Sequence, residues 1–283
     1  MKRRLALLVL AVLAALAAYI GYAFHGIAKP YALDSAKQEF SLLSWSDYRE
    51  RASEFALPII IQTEADRGAL LFFGAEHSND PSHPQFAELE EAFARFDPTV
   101  VVVEGRPGPL LVPFMDPIET YGESGALVQL ARQSGSTTYI WELERDDEVA
   151  LLLDRFSEEQ VAIYLLMRPF PGGNSAAEAE ATLSAIIEDR KGRSGIQGVI
   201  GSLEQFDAAW DRNLASGEDW RALNGVYGAP GFLGEMFEYG NDIRDQHMLN
   251  IVRELMEQDE RVMVTMGWSH AVRVEPALTQ LSR

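Results

Sequence analysis

Four short apolar runs constrain the fold of this chain more than any other feature of its sequence. They cover residues 69–73, 100–103, 137–141 and 262–266, and the second consists of consecutive valines. A strand that faces solvent on one side alternates apolar and polar residues, whereas a strand buried on both faces reads as a continuous apolar run. Strands of the second kind are typical of parallel sheets covered by helices. We therefore predict an α/β domain with a mainly parallel central sheet flanked by helices.

The residues around the first run predict how the sheet begins. Residues 59–61 form a further apolar run, and the polar segment 64–68 reads as a hairpin turn into residues 69–73. After Pro84, apolar residues recur at helical spacing on one face, namely at Phe86, Leu89, Phe93 and Phe96. This helix and its flanking strands have the length of one βαβ crossover, which implies parallel pairing of the two strands.

The middle of the chain has a different character. Residues 146–240 contain no β-branched runs and read as several helices separated by loops. We predict an all-helical insertion packed against the sheet. The α/β domain is then expected to cover residues 58–283, with residues 31–57 as a connector and a last long helix near 242–258.

The N-terminus is predicted to lie in a membrane. Three basic residues precede an uncharged stretch from Leu5 to Phe24, about the length that crosses a bilayer as a helix. Basic residues before such a stretch favour a cytoplasmic N-terminus, which places the main domain on the extracytoplasmic side. A signal sequence within residues 1–30 is the alternative, because residues 15–17 suit a small-residue cleavage site and would leave a secreted or periplasmic domain.

Composition excludes several classes of partner and chemistry. The chain has 43 acidic and 24 basic residues, a formal net charge of −19, so nucleic acid is not an expected partner. It has no cysteine, which excludes disulfides, thiolate metal sites and a cysteine nucleophile. The motifs GxSxG, GxGxxG, HExxH and the P-loop are also absent, which argues against serine hydrolases, dinucleotide enzymes, the commonest zinc peptidases and NTPases.

Polar residues with catalytic potential follow each predicted strand. Residues 74–77 and 267–270 share a GxxH pattern that ends in His77 and His270, while Glu104 and Glu142 follow the other two runs. Ligands of parallel sheets bind outside the carboxyl ends of the strands, so these side chains are expected to share one crevice. A neutral imidazole binds Zn, Mn, Fe or Co, or acts as a general base near neutral pH. We predict His77, Glu104 and His270 as metal ligands, with both histidines also candidates for catalysis.

Two of these acids have structural alternatives. Glu104 ends a run of valines, where an unpaired charge is costly, so it needs a metal, a histidine or a cation such as Arg106. Glu142 either binds a cofactor or belongs to a solvated loop with the acids that follow it.

Three further residues are candidates for the same crevice. Glu76, inside the first motif, is a possible proton carrier, ligand or outward-facing acid. His83 either binds a cofactor or lies at the N-terminal end of the next helix. Arg244 lies on an apolar helix stripe, where it either stabilises a developing negative charge or pairs with an acid such as Asp242.

These motifs resemble those of a broad superfamily that joins TraB/PrgY proteins, Tiki metalloproteases, erythromycin esterases and ChaN-like iron-regulated proteins. The resemblance covers residues 58–281, with the helical middle poorly matched. It rests on both GxxH motifs, on the strand that ends in Glu104, and on Arg244-Asp245 followed by Met248.

Each branch of the superfamily implies a different chemistry. The paired motifs resemble the Tiki arrangement, which implies peptide hydrolysis by a divalent metal near His77, Glu104 and His270. Residues 74–83 resemble ChaN-like proteins, which implies haem or iron binding. Arg244-Asp245 with Met248 resembles the erythromycin esterases, which implies that His77 activates water without a metal.

The function predicted first is a membrane-anchored extracytoplasmic hydrolase of a peptide or ester bond, with a peptide or small molecule as substrate. A divalent metal ion is its expected cofactor. One alternative is a protein that binds haem, iron or a small ligand in the same crevice without turnover. The other is an interaction module whose crevice has no chemistry.

Overall fold

A computed structural model describes residues 2–25, 27–173, 175–214, 217–229 and 231–281. The chain divides into two compact units, one made of Met1–Glu142 and Asp245–Arg283 and the other of Leu143–Arg244. The first unit contains a six-stranded sheet in the order β1-β5-β4-β6-β3-β2. Its strands are β1 (Lys29–Pro30), β2 (Ile59–Glu64), β3 (Ala69–Ala75), β4 (Val100–Val103), β5 (Thr137–Ile140) and β6 (Arg261–Gly267).

The sheet confirms the predicted architecture. β2 pairs antiparallel with β3, and all other neighbouring strands are parallel. Every residue of β3 and β4 is buried, as their unbroken apolar runs predict, whereas β2 alternates buried and more exposed positions at the edge. The hairpin predicted between β2 and β3 is also confirmed.

The pairing predicted around the first crossover is wrong in one respect. β3 and β4 run parallel, but β6 lies between them and hydrogen-bonds to both. The last strand of the chain therefore occupies the centre of the sheet, beside strands that come far earlier in the sequence.

Helices cover both faces of this sheet. The helices that lie within this unit are α1 (Lys2–Phe24), α2 (Trp45–Arg51), α3 (Gln85–Phe96), α4 (Pro117–Ser134), α10 (Trp268–Val274) and α11 (Leu278–Leu281). α9 (Phe232–Glu257) begins in the other unit and starts well before the predicted position near residue 242. One face of the sheet packs against α10 and the second half of α9, and the other packs against α3 and α4.

α4 contains the backbone feature that matters most for the candidate site. Asp116 caps its first turn by accepting hydrogen bonds from the backbone N–H groups of Ile118 and Glu119. The helix is then interrupted at Gly122, whose φ of 58° and ψ of −140° are accessible to glycine and costly for other residues. The interruption directly precedes Glu123, a buried acid.

The second unit is entirely helical within its described residues. It contains α5 (Arg145–Leu153), α6 (Glu158–Met167), α7 (Ala176–Arg190), α8 (Leu203–Asn213) and the first part of α9. Its own apolar core is formed around α6, which is buried from Val161 to Met167, and includes Phe170, Leu183, Phe206, Trp210, Trp220 and Leu233. Helices rather than strands form this core, which agrees with the absence of β-branched runs from the segment.

The predicted membrane segment corresponds to α1, although Met1 and Gly26 lie outside the described residues. Among the residues that the structure describes, none of the helices combines the length and hydropathy that a membrane span requires. The transmembrane segment therefore stays a prediction.

One carboxylate makes several of the hydrogen bonds that hold part of the connector to the domain. Glu254 of α9 accepts hydrogen bonds from the backbone N–H groups of Asp34 and Ser35, from the Ser35 hydroxyl at 2.6 Å and from the Tyr31 hydroxyl at 2.9 Å. Burial and this contact with Glu254 raise the pKa of Tyr31 to about 12. Burial alone would raise the pKa of Glu254, but its hydrogen bonds outweigh burial and hold that pKa below the usual range.

Replacement of Glu254 by glutamine is expected to destabilise the protein by about 2 kcal/mol at neutral pH. Because the pKa of Glu254 is lowered on folding, its contribution is complete above the pKa of an unfolded glutamate and disappears as the pH falls through the folded value. Thermal melts of wild type and Glu254→Gln should therefore converge in acid. Glu235→Gln, an exposed acid near the start of the same helix, is the matched control. A difference that stays constant down to acidic pH would contradict this explanation.

Candidate functional site

The carboxyl ends of three central strands meet at one edge of the sheet. In the parallel pairing of β3 with β6, Ala75 lies opposite Gly267, so the two GxxH motifs leave the sheet side by side. β4 pairs with the other side of β6 and ends one residue before Glu104. The convergence that the sequence predicts for His77, Glu104 and His270 follows from this register.

His77 is paired with a buried acid. Its Nδ1 lies 2.6 Å from Oε1 of Glu123, and the Glu123 side chain is only 7% exposed while that of His77 is 66% exposed. A carboxylate accepts hydrogen bonds, so this contact favours the proton on Nδ1, and in a neutral imidazole Nε2 then has a lone pair. The pair thus presents a basic nitrogen at an accessible position.

His270 repeats this arrangement in the interior. Its Nδ1 lies 2.5 Å from Oδ1 of Asp245, a fully buried residue of α9. The other oxygen of Asp245 accepts a hydrogen bond of 3.2 Å from Nε of Arg273. The Arg273 guanidinium stacks on Trp45, with Cζ 3.9 Å from the ring centroid. The contacts from Arg273 to Asp245 and from Asp245 to Nδ1 therefore fix the orientation of the His270 imidazole.

Trp141 completes the surroundings of His270. The two rings meet edge to face with centroids 5.3 Å apart, and the indole N–H donates to the backbone carbonyl of Thr265. Trp141 is fully buried at the end of β5. Because the indole is locked by its own hydrogen bond, it limits rotation of the His270 ring.

Glu104 lies near both histidines. Its Oε2 accepts a 2.7 Å hydrogen bond from the backbone N–H of Gly267, and its Oε1 lies 3.9 Å from Nε2 of His270. Its backbone carbonyl accepts a hydrogen bond from the hydroxyl of Ser124. The carboxylate is 16% exposed and held in a fixed orientation.

Gly267 marks the point where these groups meet. A Cβ atom on Gly267 would lie 2.8 Å from Nε2 of His77 and 3.7 Å from Oε2 of Glu104. Both atoms therefore lie within 4 Å of one point, which glycine leaves open. The glycine of the second motif is needed for space within the candidate site rather than for an unusual backbone angle, since its φ is −56°.

The glycine of the first motif has a different role. A Cβ on Gly74 would meet Cβ of Ala271 at 2.7 Å and Cα of Trp268 at 3.1 Å, which are atoms of α10. Gly74 thus lets α10 pack closely on β3. The two related motifs use their glycines for packing in one case and for an open site in the other.

This difference predicts opposite phenotypes for the two alanine variants. Gly74→Ala should lower the free energy of unfolding by about 1–3 kcal/mol through overpacking. Gly267→Ala should displace the exposed His77 ring, keep near wild-type stability and lower hydrolysis roughly 10²-fold. Urea unfolding and turnover measured on both variants check this, and equal stability losses in the two would contradict it.

The other predicted residues lie outside the cluster formed by His77, Glu104, His270 and the acids that contact the two histidines, or they contact this cluster only through neighbouring groups. Glu142 accepts a 3.4 Å hydrogen bond from the backbone N–H of Gly105 and so supports the turn after Glu104. Glu76 is exposed, with Oε2 3.9 Å from Nε2 of His83. His83 lies just before α3, where its Nδ1 accepts from the backbone N–H of Gln85.

Arg244 belongs to the helical unit. It is buried, and its Nη1 donates to Oδ1 of Asn241, one turn earlier on α9. Its role in stabilising a developing negative charge therefore stays a prediction.

Two residues of the cluster have no counterpart in the sequence prediction, Glu123 and Arg273. Asp245 enters there only through its place beside Arg244. All three lie on helices rather than at strand ends. For Glu123, the flanking Gly122 and Gly125 are the local signal, since glycines inside a helix mark a close approach or a break.

The cluster contains the types of donor atom that bind metal ions in proteins. Metal-bound histidines commonly donate their second ring nitrogen to a carboxylate, as both histidines do here, and Glu104 would supply an oxygen ligand. Within the described ranges, no three His, Asp or Glu side chains are arranged as a metal-binding group. Coordination would require the atoms near Gly267 to close around one ion.

Comparison of the chain with protein-family models, with curated proteins and with solved structures found no match.

Proposed function

We propose that this protein is a hydrolase of peptide or ester bonds, in which His77 activates water. The observation that carries the proposal is the pair of histidines near Glu104, each with Nδ1 on a buried carboxylate. Histidines held in this way have a defined tautomer and orientation, which is the requirement for general acid–base catalysis.

Exposure divides the roles of the two histidines. His77 is accessible, so its Nε2 removes a proton from water as the water oxygen attacks the carbonyl carbon. Glu123 stabilises the resulting imidazolium. His270 is buried, and with a proton on Nε2 it would donate to the carbonyl oxygen as negative charge develops there, the role that the sequence suggests for Arg244. The bond to the leaving group then breaks, and His77 returns its proton to that group.

A divalent metal ion is the proposed cofactor of a second form of the mechanism, in which the two histidines bind the ion instead of transferring protons. The ion would be held by Nε2 of His77, Nε2 of His270 and the carboxylate of Glu104. When bound, such an ion lowers the pKa of its water and polarises the scissile carbonyl. The fixed carboxylates behind the histidines would keep the ligand nitrogens in place.

The first experiment compares full-length wild type with His77→Ala, using elemental analysis and a panel of fluorogenic esters and peptides. His25→Ala, an exposed histidine at the end of α1, is the control. Turnover in wild type and in the control, lost in His77→Ala, supports a hydrolase. Metal that is bound by wild type and lost with His77 supports the metal-dependent form. Turnover that His77→Ala leaves unchanged would refute the proposed role.

A haem or iron binding protein is the second candidate. The accessible ring of His77, fixed through Nδ1 by Glu123, has the arrangement of an axial ligand. Titration of the full chain with haem should then give a Soret band that His77→Ala abolishes. Haem spectra that are the same with and without His77 would exclude this candidate.

We further propose that the main domain is tethered outside the cytoplasmic membrane. Large apolar side chains of α1, from Leu7 to Phe24, are 47–66% exposed, which leaves a surface suited to lipid. Recovery of the protein in the membrane fraction after carbonate washing, with the domain open to protease added from outside, tests this location. Recovery in the soluble cytoplasm would refute it.

A further inference from the structure

The largest cavity among those described in the first unit is a groove between α3, α4 and the loop at residues 112–116. Its volume is about 840 Å³, within the range of sites that bind ligands. The apolar part of its lining is formed by Phe86, Val112, Phe114, Met115, Ile118 and Leu130. Phe114 meets the ring of Tyr19 on α1 edge to face, with centroids 5.5 Å apart, yet it is 81% exposed, so much of this apolar surface is open to a partner.

The charged lining of the groove is of one sign. Glu90, Asp116 and Glu119 line it and are exposed, and none of its lining residues is Lys, Arg or His. The Asp116 carboxylate already accepts hydrogen bonds from the first turn of α4, so Glu90 and Glu119 are the groove acids available to a ligand. A ligand that fits must therefore combine apolar groups with positive charge.

The groove is continuous with the segment that carries His77. Pro81, four residues after His77, lines the groove. Asn79 donates hydrogen bonds from Nδ2 to the backbone carbonyls of Glu119 at 2.9 Å and Ile118 at 3.3 Å. These carbonyls belong to a groove wall, and the same helix leads one turn later to Glu123, the partner of His77.

We infer that this groove binds a peptide segment with apolar and basic side chains and directs it towards His77. Apolar side chains would occupy the surface around Phe86 and Phe114, while lysine or arginine side chains would pair with Glu90 and Glu119. The formal net charge of −19 increases the local concentration of such a peptide. The inference rests on the proposed function, because it names the substrate class of the same hydrolase.

The test is a binding measurement that needs no turnover. Two labelled short peptides, one alternating leucine with lysine and the other leucine with glutamate, are titrated with full-length His77→Ala at about 0.15 M salt. The basic peptide should bind at least roughly tenfold more tightly than the acidic one. Fluorescence anisotropy reports both affinities.

Charge reversal locates the binding surface. Glu90→Lys combined with Glu119→Lys should weaken binding of the basic peptide roughly tenfold or more. Glu88→Lys combined with Glu91→Lys makes the same change of charge at exposed acids of α3 outside the groove lining. This matched control should stay within about twofold.

The outcomes separate the groove from the hydrolase. Equal affinity for both peptides, or equal effects of the groove and control variants, would overturn the inference even if wild type hydrolyses small esters. Specific binding by the groove without cleavage of any ester or peptide by wild type would confirm the groove and refute the hydrolase.

Discussion

Glu123→Gln is expected to lower kcat/KM for hydrolysis by roughly 10²–10⁴ while the protein stays folded. Glutamine has nearly the same shape as glutamate, but it carries no charge to stabilise a protonated His77. Its amide can also present a donor to Nδ1, which would place the ring proton on Nε2 and remove the lone pair that accepts the proton of water. The contact at 2.6 Å between Nδ1 of His77 and Oε1 of Glu123 makes this dependence direct.

The control for this prediction lies on α3, away from the histidines and from the groove. Glu88→Gln removes an equal charge from an exposed position outside the groove lining. Steady-state hydrolysis by the two variants should differ by the full factor, and their circular dichroism spectra should match that of wild type. Comparable activity in both would show that Glu123 does not orient the catalytic base.

The strands that carry the site were predictable because their residues are buried on both faces. Runs such as Val100–Val103 leave little choice of structure, and the residue after each run must lie at the edge of the sheet. The proximity of His77, Glu104 and His270 follows from that edge. This part of the site depends on local sequence and on the parallel direction of the strands.

The order of the strands in the sheet was harder to predict from the sequence. β6 lies between β3 and β4 and hydrogen-bonds to both, although it comes more than a hundred residues after them in the sequence. Nothing in the composition of the three runs distinguishes a central from an outer position. The βαβ pattern therefore gives the direction of β4 but not its neighbour.

The acids behind the histidines depend on tertiary packing. Glu123 reaches His77 only because α4 is interrupted at Gly122, and Asp245 reaches His270 only because α9 packs across the sheet. Acids are common on helices, so neither has a distinctive pattern in the sequence. Arg273 and Trp45 are paired across more than two hundred residues and are visible only in the folded chain.

Arg273→Met is expected to lower the free energy of unfolding by about 3–5 kcal/mol. Asp245 is fully buried, and Arg273 is the cation that hydrogen-bonds to its second oxygen at 3.2 Å. Methionine fills a similar volume against Trp45 but removes the guanidinium that hydrogen-bonds to the buried Asp245 carboxylate. Arg51→Met, which removes an exposed ion pair with Glu275, should cost less than about 1 kcal/mol.

A second substitution separates charge compensation from packing. If the cost of Arg273→Met arises from the buried charge of Asp245, then Asp245→Asn in the same chain should restore about 1–3 kcal/mol of stability, because a neutral amide needs no cation. Urea unfolding of the two single variants and the double variant gives the coupling energy. Additive losses would instead assign the effect to the stacking of Arg273 on Trp45. In either case the double variant should remain inactive, since His270 would face an amide that no longer stabilises its protonated form.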